Sequence, residues 1–123
     1  PKTIFVSSFI LGNNILNLKK NSNSYISCLG EINSSGLIKN TNIKSLSISP
    51  KFISIKKSEN GNAIVISKEF LGEFLIYKVS INKDVLRVRT DINNLLNNGD
   101  KCSLSINKNS YYFLYPGAHK VYI

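Results

Sequence analysis

The sequence predicts an all-β fold, either a barrel or a sandwich, for three reasons. Polar and apolar residues alternate over most of the chain, and a period of two places alternate side chains on one face of a strand. Isoleucine, a β-branched residue that favours strands, is among the commonest residues. Short turn sequences rich in Gly and Asn separate the alternating runs, as is typical of barrels and sandwiches.

The predicted strands are short and follow one another along the chain. The clearest are 44–49, 53–56, 86–89 and 102–107, and further strands are expected at 24–32, 63–70, 73–81 and 111–115. Turn sequences occur at 11–14, 33–36, 59–62 and 97–100, where Gly and Asn tolerate positive φ angles. One stretch departs from the β pattern, because Thr90 or Asp91 could cap a helical turn within 90–98.

A length of 123 residues and a hydrophobic fraction of 42% fit one domain that can fold alone. We therefore treat 1–123 as a single domain, with a possible seam between two small halves near 57–61. Residues 1–8 are expected to pair with strands of the far half, because Ile4 and Val6 are too apolar for a free tail. The chain contains no Met, which suggests a processed chain or a piece of a larger protein.

The chain is strongly basic, with 16 Lys and Arg against 7 Asp and Glu and a formal charge of +9. Most of these cations are lysines spread along the sequence, with doublets at 19–20 and 56–57. Nucleic-acid sites usually cluster their charge and favour Arg, so most lysines are expected to form a solvated surface. A smaller share could face acidic lipid headgroups or a partner. Nucleic-acid binding should be weak and salt-sensitive at most, with no specific nucleic acid as a partner.

The sequence lacks the residue sets that catalysis and metal binding usually need. His119 is the single histidine and lies near the C-terminus, where a solvated role is the simpler interpretation. The carboxylates show no spacing typical of an acid/base pair, and the Gly-rich phosphate loop is absent. Cys28 and Cys102 lie far apart within alternating patterns, which favours buried, reduced thiols. We expect no catalytic residue, no cofactor and no metal, and therefore no enzyme.

Arg87 and Arg89 are the most distinctive charged residues. They are two positions apart in a predicted strand, so their side chains share one face and could clamp an anion or a carboxylate. The alternative is an ordinary solvated face of a strand that buries Leu86 and Val88.

The aromatic run 111–115 also allows two interpretations. Beside a basic groove, its rings could stack the bases of a single-stranded nucleic acid. Core packing is the simpler explanation, and strand alternation then buries either Phe113 with Tyr111 and Tyr115, or Tyr112 with Leu114.

Two stretches of the sequence resemble a known family. The opening is similar to the segment that follows the nucleotide-binding domain in importer-type ABC transporter ATPases, although Ser7 replaces the usual Ala and Gly12 comes one residue late. Its matches are Pro1, Phe5, Val6, Phe9, Ile10 and Asn14. The second stretch is similar to the transport-associated OB (TOBE) domain of these ATPases. Its matches are 70–72, Tyr77, 86–89, Leu95, 99–100 and 112–113.

A third segment, 46–53, occupies the place of another family motif but departs from it. Ser49 stands where the family usually has Arg, and Lys51 stands where it usually has Glu. If those two groups form a ligand pocket or a polar interface in relatives, this chain has lost both. Lys51 therefore joins Arg87 and Arg89 as a candidate contact for an anion or a partner.

The resemblance implies both a fold and a function. The fold would be one or two small OB-like β-barrels whose strands come from both halves of the chain. The function would be that of a non-catalytic C-terminal domain that regulates and dimerises the ATP-binding subunit of an ABC importer, in support of ATP-driven solute uptake. Its partners would be a second copy of the subunit, the upstream nucleotide-binding domain and the membrane permease. Its location would be cytoplasmic and peripheral to the inner membrane through the parent transporter.

Two other hypotheses come from different classes of protein. One is an OB-type domain that binds single-stranded nucleic acid through lysines and the aromatic residues of 111–115. The other is a secreted β-sandwich adhesion or binding domain whose signal peptide has been removed. A phosphate loop and an ABC signature encoded upstream of Pro1 would decide for the importer subunit.

Overall fold

The computed structural model describes residue 3 and residues 12–32 and 42–123. The predicted all-β class is confirmed, since regular structure in these residues is almost entirely β-strand, with one short 3₁₀ helix at Pro50–Phe52. Predicted strands 63–70 and 111–115 coincide with observed strands. The strands are β1 (Asn14–Asn17), β2 (Lys19–Asn21), β3 (Ser24–Ser27), β4 (Gly30–Ile32), β5 (Ser45–Ile48), β6 (Ile53–Lys57), β7 (Ala63–Phe70), β8 (Phe74–Ile81), β9 (Asp84–Asp91), β10 (Lys101–Ile106), β11 (Tyr111–Tyr115) and β12 (His119–Tyr122).

The chain divides into two compact units. Unit 1 comprises Pro1–Ser49 and Lys108–Ile123, and unit 2 comprises Pro50–Asn107. Unit 2 is thus a continuous segment inserted between the two parts of unit 1. The seam predicted near 57–61 lies inside unit 2, in the connection between β6 and β7. The pairing predicted for residues 1–8, the turn at 33–36 and most of the opening motif lie outside the described residues.

Unit 1 contains an antiparallel sheet in the order β1-β5-β11-β12. Because β5 precedes the inserted unit and β11 follows it, the predicted sharing of strands between the two halves of the chain is confirmed. Leu46 lies opposite Leu16 on one side and Leu114 on the other, and all three side chains are fully buried. This apolar row fixes the register, since a shift by one residue would turn every leucine towards the other face.

The predicted strand 24–32 is a hairpin in the structure. β3 and β4 pair with each other, and β2 completes a separate three-stranded sheet. The chain turns because the Ser27 hydroxyl accepts a hydrogen bond from the Leu29 backbone N–H at 3.0 Å, and because Gly30 adopts a φ of 101°. Tyr25 and Ile32 lie opposite each other in this hairpin and are both buried.

Unit 2 contains an antiparallel sheet in the order β6-β10-β7-β8-β9. The inward face of its strands buries apolar side chains, among them Ile53, Val65, Tyr77, Leu86 and Val88. The two edge strands, β6 and β9, lie close to each other without a backbone ladder between them. The sheet is therefore strongly curved, in the manner expected of an OB-like unit.

The helical turn predicted within 90–98 is absent, and a turn and an irregular segment take its place. Asp91 does cap this turn, because its carboxylate accepts a hydrogen bond from Asn93 N–H at 2.9 Å and its carbonyl accepts one from Asn94 N–H at 3.0 Å. The helix does not continue because Leu96 is drawn into the core, where it is buried, while Leu95 stays exposed. Tertiary burial of Leu96 overrides the local preference.

Candidate functional site

The structure places Arg87 and Arg89 together on the exposed face of β9. Lys78 of β8 lies directly opposite Arg87 in the register and is also exposed. Lys51, the third predicted contact, is exposed in the 3₁₀ helix Pro50–Phe52, which lies beside β9, and its ammonium is 5.2 Å from the Phe52 ring centroid. We call Lys78, Arg87 and Arg89 the basic face. Lys78 is a member that the sequence analysis missed, since only strand pairing brings it there.

The basic face brings three positive charges together and restrains one of them, the guanidinium of Arg89. The guanidinium carbon of Arg89 lies 3.8 Å from the centroid of the Phe74 ring, a stacking distance that restricts its rotamers. Lys78 and Arg87 face each other across the strands, which is unfavourable for like charges. Within the described residues, no carboxylate oxygen lies within 4.0 Å of the Lys78 or Arg89 side-chain nitrogens. Lys78 and Arg89 can therefore receive an anion or a carboxylate.

A second surface of unit 2 is apolar and lies at one end of its sheet. Phe70 and Leu71 belong to the hairpin between β7 and β8, and their exposed fractions are 57% and 43%. Ile92 and Leu95 follow β9, and their exposed fractions are 39% and 63%. The register places Phe70 opposite Leu75 and Phe74 opposite Asp91, so both connections leave the same end of the sheet. We call these four residues the apolar end.

Hydrogen bonds from inside unit 2 hold the Leu95 segment of the apolar end in place. The Tyr77 hydroxyl donates to the Asn94 carbonyl and accepts from Leu96 N–H, both at 2.7 Å. The Lys68 ammonium donates to the Leu96 carbonyl at 3.1 Å. Leu95 is thus presented to solvent by a segment that is anchored on both sides, which makes the surface preorganised for contact.

The doublet Lys56-Lys57 lies away from the β7–β8 hairpin of the apolar end, although Ile55, next to Lys56, accepts a hydrogen bond from the Asn94 amide at 3.1 Å. Lys57 pairs with Cys102, which in turn pairs with Ala63 at the start of β7, whereas Phe70 is at its end. A shallow open depression is found here, lined by Lys57, Glu59, Gly99, Asp100 and Lys101. The Lys57 ammonium is 3.9 Å from an Asp100 carboxylate oxygen, so the charges in this depression partly compensate each other.

The aromatic run in β11 is split between the two faces of the unit 1 sheet. Tyr112 and Leu114 point into the core, which is one of the two predicted alternations, and Tyr115 is also buried. Tyr111 and Phe113 are half-buried on the other face, with their ring centroids 5.9 Å apart in an edge-to-face arrangement. Part of the run is therefore core, and part is accessible.

Strand β12 adds two residues to this accessible face. Lys120 lies opposite Phe113, and Tyr122 lies opposite Tyr111. The Lys120 ammonium is 4.4 Å from the Tyr111 ring centroid, 4.9 Å from that of Tyr122 and 5.9 Å from that of Phe113. We call Tyr111, Phe113, Lys120 and Tyr122 the aromatic face. Its β12 members were not predicted from the sequence, although the alternation in 119–122 is a signal that could have revealed them.

The Lys120 amine keeps its charge on this face. A side-chain hydrogen bond with Tyr122 is the main influence, and it raises the pKa of Lys120. Within the described residues, no group of three or more His, Cys, Asp or Glu side chains is arranged to hold a metal ion. Cys28 and Cys102 form no disulfide; Cys102 is buried and Cys28 is half-buried.

The sequence matches no protein-family model and no curated protein. In the part of the chain that the structure describes, no helix has the length and apolarity needed to cross a lipid bilayer.

Proposed function

We propose that the chain is a non-catalytic accessory domain of the TOBE type, from the ATP-binding subunit of an ABC importer, and that it regulates this subunit and helps to hold two copies together. The fold supports the proposal, because the unit 1 sheet takes strands from both halves of the chain and a second β unit is inserted between them. The resemblance of the sequence to TOBE domains implies strands that are shared between both halves of the chain.

The apolar end is the observation that carries the self-association part of this proposal. Single exposed apolar side chains are normal on protein surfaces. Four of them at one end of one sheet, with Leu95 on a segment anchored by the Tyr77 hydroxyl, are typical of a contact surface. Because a two-fold dimer uses the same patch on both copies, one such end is sufficient.

The distribution of charge favours a second copy as the occupant. Three acidic residues, Glu69, Glu73 and Asp91, lie at or next to the apolar end. They nearly balance the cations Lys68 and Arg89 beside it, so this end is close to neutral in a chain of net charge +9. Two basic molecules repel each other least where their acidic residues are concentrated. The doublet Lys56-Lys57 lies away from Phe70 and Leu71, so a contact centred on this hairpin would leave its ammonium groups in solvent.

In the parent protein, the proposed partners are the second copy of the subunit, the upstream nucleotide-binding domain and the membrane permease. The domain would lie in the cytoplasm, peripheral to the inner membrane through the transporter. The predicted contacts Arg87, Arg89 and Lys51 are exposed cations that would face an acidic surface of one of these partners.

Sedimentation of the chain at micromolar and near-millimolar concentration tests self-association. We expect monomers in dilute solution and a two-fold dimer in concentrated solution, with high salt favouring the dimer because it screens repulsion. Replacing Phe70 and Leu95 together by Ser should abolish the dimer. Val85→Ser is the matched control, since Val85 is 56% exposed at the other end of the β8–β9 pair. A monomer at every concentration, or equal loss in the control, would refute the role of the apolar end.

The absence of catalysis is tested separately. The purified chain should neither bind nor hydrolyse ATP, because its sequence contains no phosphate loop and no acid/base pair. Turnover that survives stringent repurification would contradict this. A gene without a phosphate loop and an ABC signature upstream of Pro1 would refute the importer assignment.

A further inference from the structure

The aromatic face of unit 1 plays no part in the proposed function, and its chemistry suits a different ligand. Tyr122 is 67% exposed, so most of its ring is open to solvent. Tyr111 and Phe113 are half-buried beside it, and the centroids of Tyr111 and Tyr122 are 6.0 Å apart. Exposed rings grouped on a sheet provide stacking surfaces for planar groups.

The cation in the middle of these rings adds a second element. Lys120 is exposed, and its ammonium lies within 6 Å of all three ring centroids. No carboxylate oxygen lies within 4.0 Å of it in the described residues. A ligand that stacks on Tyr122 would therefore place any attached anionic group close to Lys120.

The positive charge of unit 1 favours a polyanion as the ligand. Unit 1 contains seven lysines but only one acidic residue, Glu31, which corresponds to a formal charge of +6 out of the total of +9. No acidic residue occurs anywhere in 101–123, the segment that contains β11 and β12. Two exposed lysines also lie near β11. Lys108 precedes the strand in the sequence, and the backbone N–H of Lys44 donates to the Tyr115 carbonyl at 2.8 Å.

We propose that the aromatic face binds single-stranded nucleic acid without sequence preference. Bases would stack on Tyr122 and on the open parts of Tyr111 and Phe113, and a phosphate would contact Lys120. A single strand is favoured over a duplex because its base faces are open for stacking. No base-edge readout is required, so the proposal agrees with the expectation of no sequence-specific nucleic acid. It also corrects the residues involved: Tyr112 and Tyr115 are buried and unavailable.

Binding is measured by fluorescence anisotropy with the full chain and a labelled deoxythymidine oligonucleotide of about 12 nucleotides, a length that suits one OB-sized surface. We expect affinity on the order of micromolar at low salt, falling as salt rises. Tyr122→Ala should weaken binding about tenfold, because loss of a stacking ring removes roughly this much per base. Lys120→Gln should weaken binding and reduce the slope against log salt by about 0.7, the value for one phosphate on a single strand.

Two matched variants serve as controls, one for a general effect of charge and one for misfolding. Lys83→Gln removes an exposed lysine from the turn between β8 and β9 in unit 2 and should leave affinity nearly unchanged. Tyr122→Phe keeps the ring and should retain affinity. It should also reduce the quenching of tyrosine fluorescence by the oligonucleotide, a signal that is readable because the chain has 6 Tyr and no Trp.

The same experiment can overturn the proposal. Equal affinity for the duplex, or for inorganic polyphosphate at the same salt, would show that charge alone accounts for binding, without stacking. Full affinity in Tyr122→Ala, or equal losses in Lys120→Gln and Lys83→Gln, would place the contact elsewhere. These outcomes are independent of the dimer test, because the Phe70 and Leu95 double replacement should leave oligonucleotide binding intact.

Discussion

The Tyr77 hydroxyl determines the path of the segment after β9. Tyr77 is fully buried in β8, and its hydroxyl bonds to the backbone of Asn94 and Leu96. These two residues lie outside any strand, so their backbone groups need partners from elsewhere in the fold. The Tyr77 hydroxyl therefore supplies hydrogen-bond partners to two backbone groups of this segment that no strand pairs.

Tyr77→Phe should lower the free energy of unfolding by about 1–3 kcal/mol, because it leaves the N–H of the buried Leu96 without an acceptor. Urea unfolding measures this as a lower midpoint at an unchanged m-value. Tyr122→Phe removes an exposed hydroxyl and should stay within about 0.5 kcal/mol of the parent chain. Equal midpoints for the two variants would contradict the assigned role of Tyr77.

Ionisation of the Cys102 thiol makes the stability of the fold depend on pH in the alkaline range. Burial, with a smaller contribution from the charge of Asp100, raises the pKa of Cys102 in the folded chain. The unfolded thiol ionises first, so this contribution to stability is complete at neutral pH and is lost as pH rises above about 9.

Between pH 8 and pH 10, the free energy of unfolding should therefore fall less in Cys102→Ala than in the parent chain. In a Cys28→Ser variant at pH 8, the remaining thiol should react with a thiol reagent only as fast as the chain opens. Rapid modification without denaturant would show that Cys102 is accessible.

At the scale of elements, one side chain joins the two edge strands of unit 2. The Asn94 amide nitrogen donates to the Ile55 carbonyl of β6 at 3.1 Å and to the Thr90 hydroxyl of β9 at 3.0 Å. Because β6 and β9 share no backbone ladder, this bridge replaces part of the pairing that would close the sheet. The turn capped by Asp91 brings Asn94 to this position.

Asn94→Asp should destabilise unit 2 by at least as much as Asn94→Ala, about 1–3 kcal/mol, because a carboxylate cannot donate to the Ile55 carbonyl and would repel it. Hydrogen exchange should show faster exchange in β6 and unchanged protection in β8. Equal protection of β6 in the parent and in Asn94→Asp would indicate that packing alone holds the edges together.

At the scale of the whole molecule, unit 2 is organised as an independent insertion. Its first and last residues are tied to each other, since Asn107 N–H donates to the Phe52 carbonyl at 2.8 Å and the Asn107 amide donates to the Lys51 carbonyl at 3.3 Å. A segment whose ends are adjacent can be inserted into a host with little disturbance. Its own core surrounds Val65, Tyr77 and Val88.

Residues 50–107 expressed alone should therefore fold, with a β-type circular dichroism spectrum and a cooperative but weak unfolding transition, as expected for a small domain. Dispersed amide signals in NMR would confirm fixed side-chain packing. The Tyr77→Phe substitution should lower the midpoint of this segment as it does that of the full chain. A non-cooperative melt would show that unit 2 depends on unit 1.

The sequence by itself determined the fold class and the extent of the most regular strands. Alternation with a period of two is a local property, so it located β7 and β11 correctly and placed Arg87 and Arg89 on one face. It also predicted that strands from both halves would be shared, through the resemblance to TOBE domains. It failed where burial competes with local preference, as in the helical turn that Leu96 prevents.

Only the tertiary structure decided which faces meet. Lys120 lies opposite Phe113, and Lys78 lies opposite Arg87, because the hairpins β11–β12 and β8–β9 each adopt one register. The period of a strand tells which side chains share a face, but it carries no information on the partner strand or on the end at which exposed residues collect. Those depend on the burial of a common core, which is a property of all the strands at once.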